Sequence, residues 1–472
     1  MVRDVAKLIA SKHLHQFEVD GVVRSQEWEK SGAEPRNCTG IFLKCIRVNA
    51  LQEGLVCPEP PFVLLDSIHF SLKIPDTFFK AEVRVLSLTG WHRQHLSLSI
   101  HSLSNLRTLC VHGHQIEDIK ILGNLKRLQI LSLEDCLSFK GLEVMMELTD
   151  LRMLSLRGTI LPSRSNPLMI SSLRRLEHLC IRINILEDSP LYLDTIPTLC
   201  GLKHLSCLRA LELVIPFSRL LLEDVSFENL TRYDICVGDG PWAWCDDGQW
   251  GRCNDSTKAS RRLLLSLGQN EWSQLNPSLH DVVKVPHLVK CFSKLFKTTE
   301  VLVLDRLVDT KHFINELGCD GFLQLKYLYI SRSDGMQYIM NTREMEWVDP
   351  PRAFPLLERL KLRCLEQLEA VWHGRFPVGC FANLRVLEIE ECDSLKYIIW
   401  LPTTQARESV LVFPQLGSLK LERLPNLINF YSTGTSGSQE PSSSFFNQVC
   451  LIFTFNFCHS ALFTLQLLLQ TN

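Results

Sequence analysis

Eight residues in the C-terminal part of the chain carry its densest chemistry: Tyr329, Ser331, Lys361, Arg363, Glu388, Glu390, Lys420 and Glu422. They come in pairs two residues apart, each pair bracketing one aliphatic residue, as in "KLR", "EIE" and "KLE". A strand turns alternate side chains to one face, so both members of each pair share a face. Such a set can pair charges, donate hydrogen bonds and offer an aromatic anchor, and Trp372 and Trp400 are expected on nearby loops or convex turns. That is the chemistry of a protein-binding patch. It is also that of a solvated sheet face whose opposite charges merely pair. Taken as a patch, it predicts that reversing Lys361 and Arg363 together abolishes partner binding without lowering the melting temperature.

Other reactive residues form no constellation. Cys245 and Cys253 flank the middle of "GDGPWAWCDDGQWGRCNDS", without the paired spacing and histidines of a zinc site. The piece "KHLHQ" (Lys12–Gln16) reads as a helix end rather than a ligand pair. The chain lacks the phosphate-cradling GxxxxGK[ST], HExxH, GxSxG and the kinase set. No catalytic residue, cofactor or metal is expected, and the chain reads as a non-enzyme. With 50 Lys and Arg against 52 Asp and Glu, it carries no basic excess for nucleic acid. The 18 cysteines are scattered without a CxxC pair, many of them inside apolar patterns. There a thiol serves as a small hydrophobe. The opening "MVRDVAKLIASKHLHQ" has no signal-peptide core. A reducing, cytoplasmic setting is therefore expected.

The elements that position the eight residues recur along the chain. The pattern L-x-x-L-x-x-L-x-L appears in "LSNLRTLCV" (Leu103–Val111), "LTDLRMLSL" (Leu148–Leu156), "LRRLEHLCI" (Leu173–Ile181) and "LSCLRALEL" (Leu205–Leu213). It continues, led by phenylalanine, in "FENLTRYDI" (Phe227–Ile235), "FLQLKYLYI" (Phe322–Ile330), "FPLLERLKL" (Phe354–Leu362), "FANLRVLEI" (Phe381–Ile389) and "FPQLGSLKL" (Phe413–Leu421). Weaker copies are Ala81–Leu88, Thr298–Leu304, Leu64–Phe70 and Arg261–Leu267. Repetition every 22 to 32 residues is the signature of leucine-rich repeats. The expected fold is an α/β leucine-rich-repeat solenoid, a horseshoe with a concave parallel sheet and a helical or irregular convex side. In "NLRVLEIEECDSLKYI", Leu387 and Ile389 are strand residues facing the core, Cys392 turns the chain inward, and Leu395 and Ile398 return along the convex side. The residue between the two core positions faces the concave side: Ser87, Cys110, Ser132, Ser155, Cys180, Glu212 and Asp234 first, then Tyr329, Lys361, Glu388 and Lys420.

The expected organisation has a helical segment at 1–36, the solenoid at 37–431, a linker at 432–444 and an apolar non-repeat tail at 445–472. Within the solenoid, a Trp-rich loop occupies 237–257, "LHDVVKVPHLVKCFSKLFK" (Leu279–Lys297) has the spacing of a convex helix, and Ser331–Ala353 is a long loop. Residues 445–469 are apolar over a length that can cross a bilayer. Without flanking basic anchors they fit read-through of non-coding sequence better than a membrane anchor.

From Val2 to about Val449 the chain resembles plant disease-resistance proteins of the coiled-coil, nucleotide-binding, leucine-rich-repeat kind. The resemblance rests on "VRDVAKLIAS", on "NCTGIFLKCIRVNALQEGLVCPEPPFVLL" (Asn37–Leu65), and on the late repeats with "LPNLINFYSTGTSGSQEPSSSFFNQ". In that family "VRDVA" follows a Met-His-Asp motif that closes the nucleotide-binding module. Here Met1 stands where that motif should have ended. The resemblance implies the family's repeat region truncated at both ends, with 1–36 the helical remnant of the end of a nucleotide-binding module, so nucleotide binding is not carried over. It also implies a module for plant defence that recognises a pathogen effector or a guarded host protein and clamps the nucleotide-binding module of a full-length receptor. The alternatives are a non-signalling truncated or decoy repeat protein and a leucine-rich-repeat substrate adaptor of a ubiquitin ligase.

Overall fold

The computed structural model describes residues 16–20, 40–44, 62–68, 83–95, 100, 103–115, 119–136, 141–159, 170–183, 202–215, 227, 229–238, 260–266, 285–307, 322–343, 353–377, 379–402, 413–434 and 453–456. The chain divides into two compact units: Met1–Val214 with Asp224–Thr231, and Ile215–Glu223 with Arg232–Asn472.

The first unit carries nine strands, β1 (Gln16–Asp20), β2 (Gly40–Lys44), β3 (Phe62–Ile68), β4 (Val85–His95), β5 (Thr108–Gln115), β6 (Ile130–Glu134), β7 (Met153–Thr159), β8 (His178–Ile183) and β9 (Ala210–Ile215). Each pairs in parallel with the next. Their register aligns Leu86, Leu109, Leu131, Leu154, Leu179 and Leu211, all buried. The L-x-x-L part is a turn in which the second leucine's amide donates to the carbonyl three residues back, as from Leu106 to Leu103 and from Leu151 to Leu148. That turn points both leucines inward, and the following L-x-L enters the sheet with the core side already set. Neighbouring repeats are locked by a shared acceptor: the Arg107 carbonyl receives the amides of Gln129 and Ile130, and the Gln129 carbonyl those of Arg152 and Met153. The convex side holds short 3-10 turns, Ile119–Asn124, Leu142–Glu147 and Ile170–Ser172.

In the second unit the strands lining one face are β10 (Arg232–Val237), β11 (Arg261–Ser266), β12 (Val301–Asp305), β13 (Tyr327–Ser331), β15 (Arg359–Arg363), β17 (Val386–Glu390) and β19 (Ser418–Glu422), parallel throughout. Interleaved in sequence, β14 (Tyr338–Asn341), β16 (Ala370–His373), β18 (Tyr397–Pro402) and β20 (Asn429–Gly434) form a second parallel sheet. A last strand, β21 (Phe453–Asn456), pairs antiparallel with β19. Helix α1 (Val285–Phe296) buries Phe292, Leu295 and Phe296. Its end is capped at the Leu295 carbonyl, which accepts from the hydroxyls of Thr298, Thr299 and the buried Tyr233. The phenylalanines that open the late repeats form one continuous row, with ring centroids 5.4 Å apart from Phe322 to Phe354 and from Phe354 to Phe381, and 5.7 Å on to Phe413.

Several expectations are corrected. The convex side of the second unit is not only helical or irregular. Segments such as "YIIWLP" are rich in β-branched and aromatic residues, which favour strands. Tyr338–Asn341, inside the expected loop Ser331–Ala353, is a strand for the same reason. Gln16–Asp20, in the stretch expected to be helical, pairs as β1, and "QFEVD" alternates accordingly. In β3 the register sets Val63 and Leu65 opposite Leu86 and Leu88, five residues before Ile68 and Phe70, the core positions expected from the copy Leu64–Phe70. Strand β20 continues through Gly434, into the stretch taken as linker. The expected helix at Leu279–Lys297 is present as α1, and residues 279–284 lie outside the described residues. So do 12–15, 239–257, 344–352, 435–444 and the tail apart from β21, including Cys245 and Cys253. Among the described residues no helix is long and apolar enough to cross a membrane.

Candidate functional site

On the concave sheet of the second unit, β13, β15, β17 and β19 run in strict register. Tyr329 stands opposite Lys361, Lys361 opposite Glu388, and Glu388 opposite Lys420. The row beside it runs Ser331, Arg363, Glu390 and Glu422. All eight residues singled out from the sequence are thus brought together in a grid of two rows, with strands about 4.8 Å apart.

What the sequence does not reveal is how deeply the grid sits and how completely it pairs. Lys361 is 6 % exposed and Glu390 8 %. The Lys361 ammonium lies 3.5 Å from Glu388 and 3.9 Å from Glu390, and 5.7 Å from the centre of the Tyr329 ring. Lys420 reaches Glu390 at 2.5 Å and Glu422 at 2.9 Å. Arg363 lies 3.8 Å from Glu390 and 3.5 Å from Glu391, and Arg423 pairs with Glu391 and Glu422. Four cations thus face four carboxylates, and the cluster carries no net charge.

The electrostatic consequences follow from these contacts. Burial works against the Lys420 ammonium, but its bonds to Glu390 and Glu422 hold it above the ordinary lysine value. Hydrogen bonds from Lys420 and Arg423 hold the Glu422 carboxyl below its usual range. The Cys364 thiol donates to Glu391 at 2.8 Å, which is the main reason the Glu391 carboxyl titrates low. Burial and that carboxylate together push the Cys364 thiol up to about 11, so it is a poor nucleophile.

Next to the grid, Asp305 is buried and receives Ser331 at 2.6 Å, Ser266 at 3.2 Å, and both Nε and Nη2 of Arg332 at 3.0 and 3.3 Å. Ser331 therefore anchors a neighbouring carboxylate. Trp372, expected beside the patch, is fully buried on β16 and donates Nε1 to the Arg375 carbonyl, so no partner can reach it. Trp400, half-buried on β18, lies under the Arg343 guanidinium at 4.1 Å and beside His373.

Sequence reasoning missed the residues just before and just after the L-x-L unit. Tyr327 and Arg359 precede it on adjacent strands, the guanidinium 5.9 Å from the ring centre. Arg306, Arg332, Cys364, Glu391 and Arg423 follow it in left-handed backbone conformation. For Arg332, Cys364, Glu391 and Arg423 the signal was present, since each lies one residue beyond a position already aligned. Inside the turn, the Cys392 thiol donates to the Glu390 carbonyl at 3.4 Å, as expected of the inward residue. Asp234 is corrected. The register sets Ile235 opposite Leu263, so Cys236 takes the position between core residues. Asp234 lies two places earlier on the strand and pairs with Arg262. In the first unit, Ser87, Cys110, Ser132, Ser155, Cys180 and Glu212 align as expected. That face is polar and small-featured, with Glu134 accepting from Ser132 and Ser155. Among the described residues no group of three or more His, Cys, Asp or Glu is placed to hold a metal ion.

Parallel strands repeated with the L-x-L register, the L-x-x-L turn and the inward turn residue define a leucine-rich-repeat solenoid. Residues 269–406 match the family described as "Plant disease resistance protein RPS2-like, leucine-rich repeats". Solved structures similar to this chain include a Leptospira interrogans leucine-rich-repeat protein, LIC12759, at 14% identity over 81% of this chain and 94% of that one, with a TM-score of 0.43. An internalin of Listeria monocytogenes aligns at 15% identity over 67% of this chain and 80% of that one, TM-score 0.32. The plant peptide hormone receptor RGFR1, solved with RGF2, aligns at 15% identity over 89% of this chain and 65% of that one, TM-score 0.36. No curated protein matches the chain.

Proposed function

We propose that this chain is the protein-recognition and autoinhibitory leucine-rich-repeat region of a plant intracellular immune receptor, acting in the cytoplasm. The observation that carries this reading is the coincidence of the family match at 269–406 with the strands β13, β15 and β17 that hold most of the grid. The concave grid, Tyr329, Ser331, Lys361, Arg363, Glu388, Glu390, Lys420 and Glu422, binds a pathogen effector or a guarded host protein. The nucleotide-binding module of a full-length receptor is the second partner. A neutral, internally paired face suits recognition at short range, because a partner must exchange existing pairs for its own. The described cysteines carry free thiols, which agrees with a reducing compartment.

The test is a comparison of the wild-type chain with Tyr329→Ala/Arg363→Ala by quantitative affinity purification from pathogen-challenged leaf tissue. Glu390 and Glu391 keep other cations in this variant, and its melting temperature, measured alongside, separates lost binding from lost folding. A specific protein lost from the variant by about tenfold, roughly 1.4 kcal/mol, agrees with the proposal. The same proteins recovered at the same levels would overturn it.

A further inference from the structure

The concave sheet of the second unit ends, among the described residues, in a strand that does not belong to the repeat. Each strand from β10 to β19 is parallel to its neighbour, whereas β21 runs antiparallel on the open edge of β19. Its register pairs Phe453 with Leu421, Thr454 with Lys420, Phe455 with Leu419 and Asn456 with Ser418. The sequence "FTFN" thus alternates apolar and polar in step with β19, whose Leu419 is a core residue and whose Lys420 belongs to the grid.

An uncovered edge strand is a template for further pairing, and the core at this end is thinly covered. Even with β21 seated, Leu421 on β19 is only half-buried, whereas its counterparts in β11, β12, β13, β15 and β17 are fully buried. Ile428, one residue before β20, is 37 % exposed. We infer that the outer edge of β19 is a strand-accepting site whose ligand class is an extended segment of alternating apolar and polar residues added antiparallel, and that the chain's own Phe453–Asn456 fills it. Eighteen residues, 435–452, separate β20 from β21. Extended at no more than about 3.5 Å each, they allow a reach on the order of 60 Å. A connection of that length does not require the segment to come from a second copy.

The experiment is amide hydrogen exchange of β19 in three samples: the full chain, the full chain with Thr454→Pro and Phe455→Pro, and a chain ending at Ser444. Successive strand residues point their amides to opposite sides, so the proline pair removes one ladder donor whichever way β21 is phased. Exchange at the outward amides of β19 should rise about tenfold or more in both altered chains, while β13 and β15 stay protected. A synthetic peptide spanning residues 449–457, flanked by lysines for solubility, should restore protection to the shortened chain, and its proline version should not. Unchanged exchange in the proline variant would overturn the inference. So would failure of the peptide to protect β19 in a shortened chain whose other strands remain protected. Sedimentation of the full chain should show a monomer. A dimer dissolved by the proline pair would overturn seating within one chain and place the segment of a second copy on β19.

Discussion

Lys361 sits with its ammonium between Glu388 and Glu390 and its side chain covered by the sheet around it. Reversing Lys361 and Arg363 to glutamate would therefore leave two cations among six carboxylates. The sequence alone suggests a change in binding only, but the packing makes it a change in stability. Breaking one buried pair costs about 3–5 kcal/mol, so this double variant should unfold well below the wild-type temperature in a thermal melt. An unchanged midpoint would show that the grid is looser than its distances imply. Trp372 predicts a loss of similar size without any charge. Trp372→Ala deletes a fully buried indole packed against Phe376 and Phe381 and should cost about 3–5 kcal/mol by chemical denaturation. Gly238 is a backbone case. It holds φ +115°, and a Cβ there would come within 1.6 Å of the Ser266 carbonyl oxygen. Gly238→Ala should loosen β10 against β11, visible as faster amide exchange in both strands.

At the scale of elements, the helix cap gives a clean test. Tyr233 donates to the Leu295 carbonyl at 2.9 Å, so Tyr233→Phe should cost about 1 kcal/mol and speed exchange in the last turn of α1. How much of this architecture was legible depends on what fixes each part. The L-x-x-L turn and L-x-L strand were readable because burial dictates both, and one slip would turn every leucine to water. Helix α1 was readable from its apolar spacing. The second sheet was not, because a short run such as "YIIW" fits a buried helix or a strand equally well and only its neighbours decide. Asp234 was misplaced because Tyr233 looks like a core residue and is indeed buried, but it serves the helix cap and does not open the L-x-L pair. The eight grid residues were legible as a set. Their mutual pairing was not, since it depends on contacts between residues about 30 positions apart.

The molecule as a whole should be stable at neutral pH and weaken in acid for a specific reason. Glu391 and Glu422 titrate below the ordinary glutamate value of 4.5 in the folded state. A carboxyl with a lowered folded pKa contributes stability that is present above its unfolded value and lost as pH falls through the folded one. Melting temperature should therefore be flat from pH 7 to about 5 and fall below about 4.5, the more steeply the more of these pairs are intact. A profile that instead rises on acidification would contradict the paired geometry. The shared-acceptor locks and the charge grid have a further consequence for how such a chain can change over generations. In the grid, Lys361 answers Glu388 and Glu390, Lys420 answers Glu390 and Arg423 answers Glu391, each across a boundary between repeats, so much of what the face says is written across the seams. Loss or duplication of one repeat by unequal crossing-over would leave unmatched charges at a new junction, even though the leucines would still align. Exchange of a block that keeps its internal seams would preserve them. Novelty in this face should therefore arrive in blocks of several repeats, or as compensated pairs of substitutions, sooner than as single exchanges.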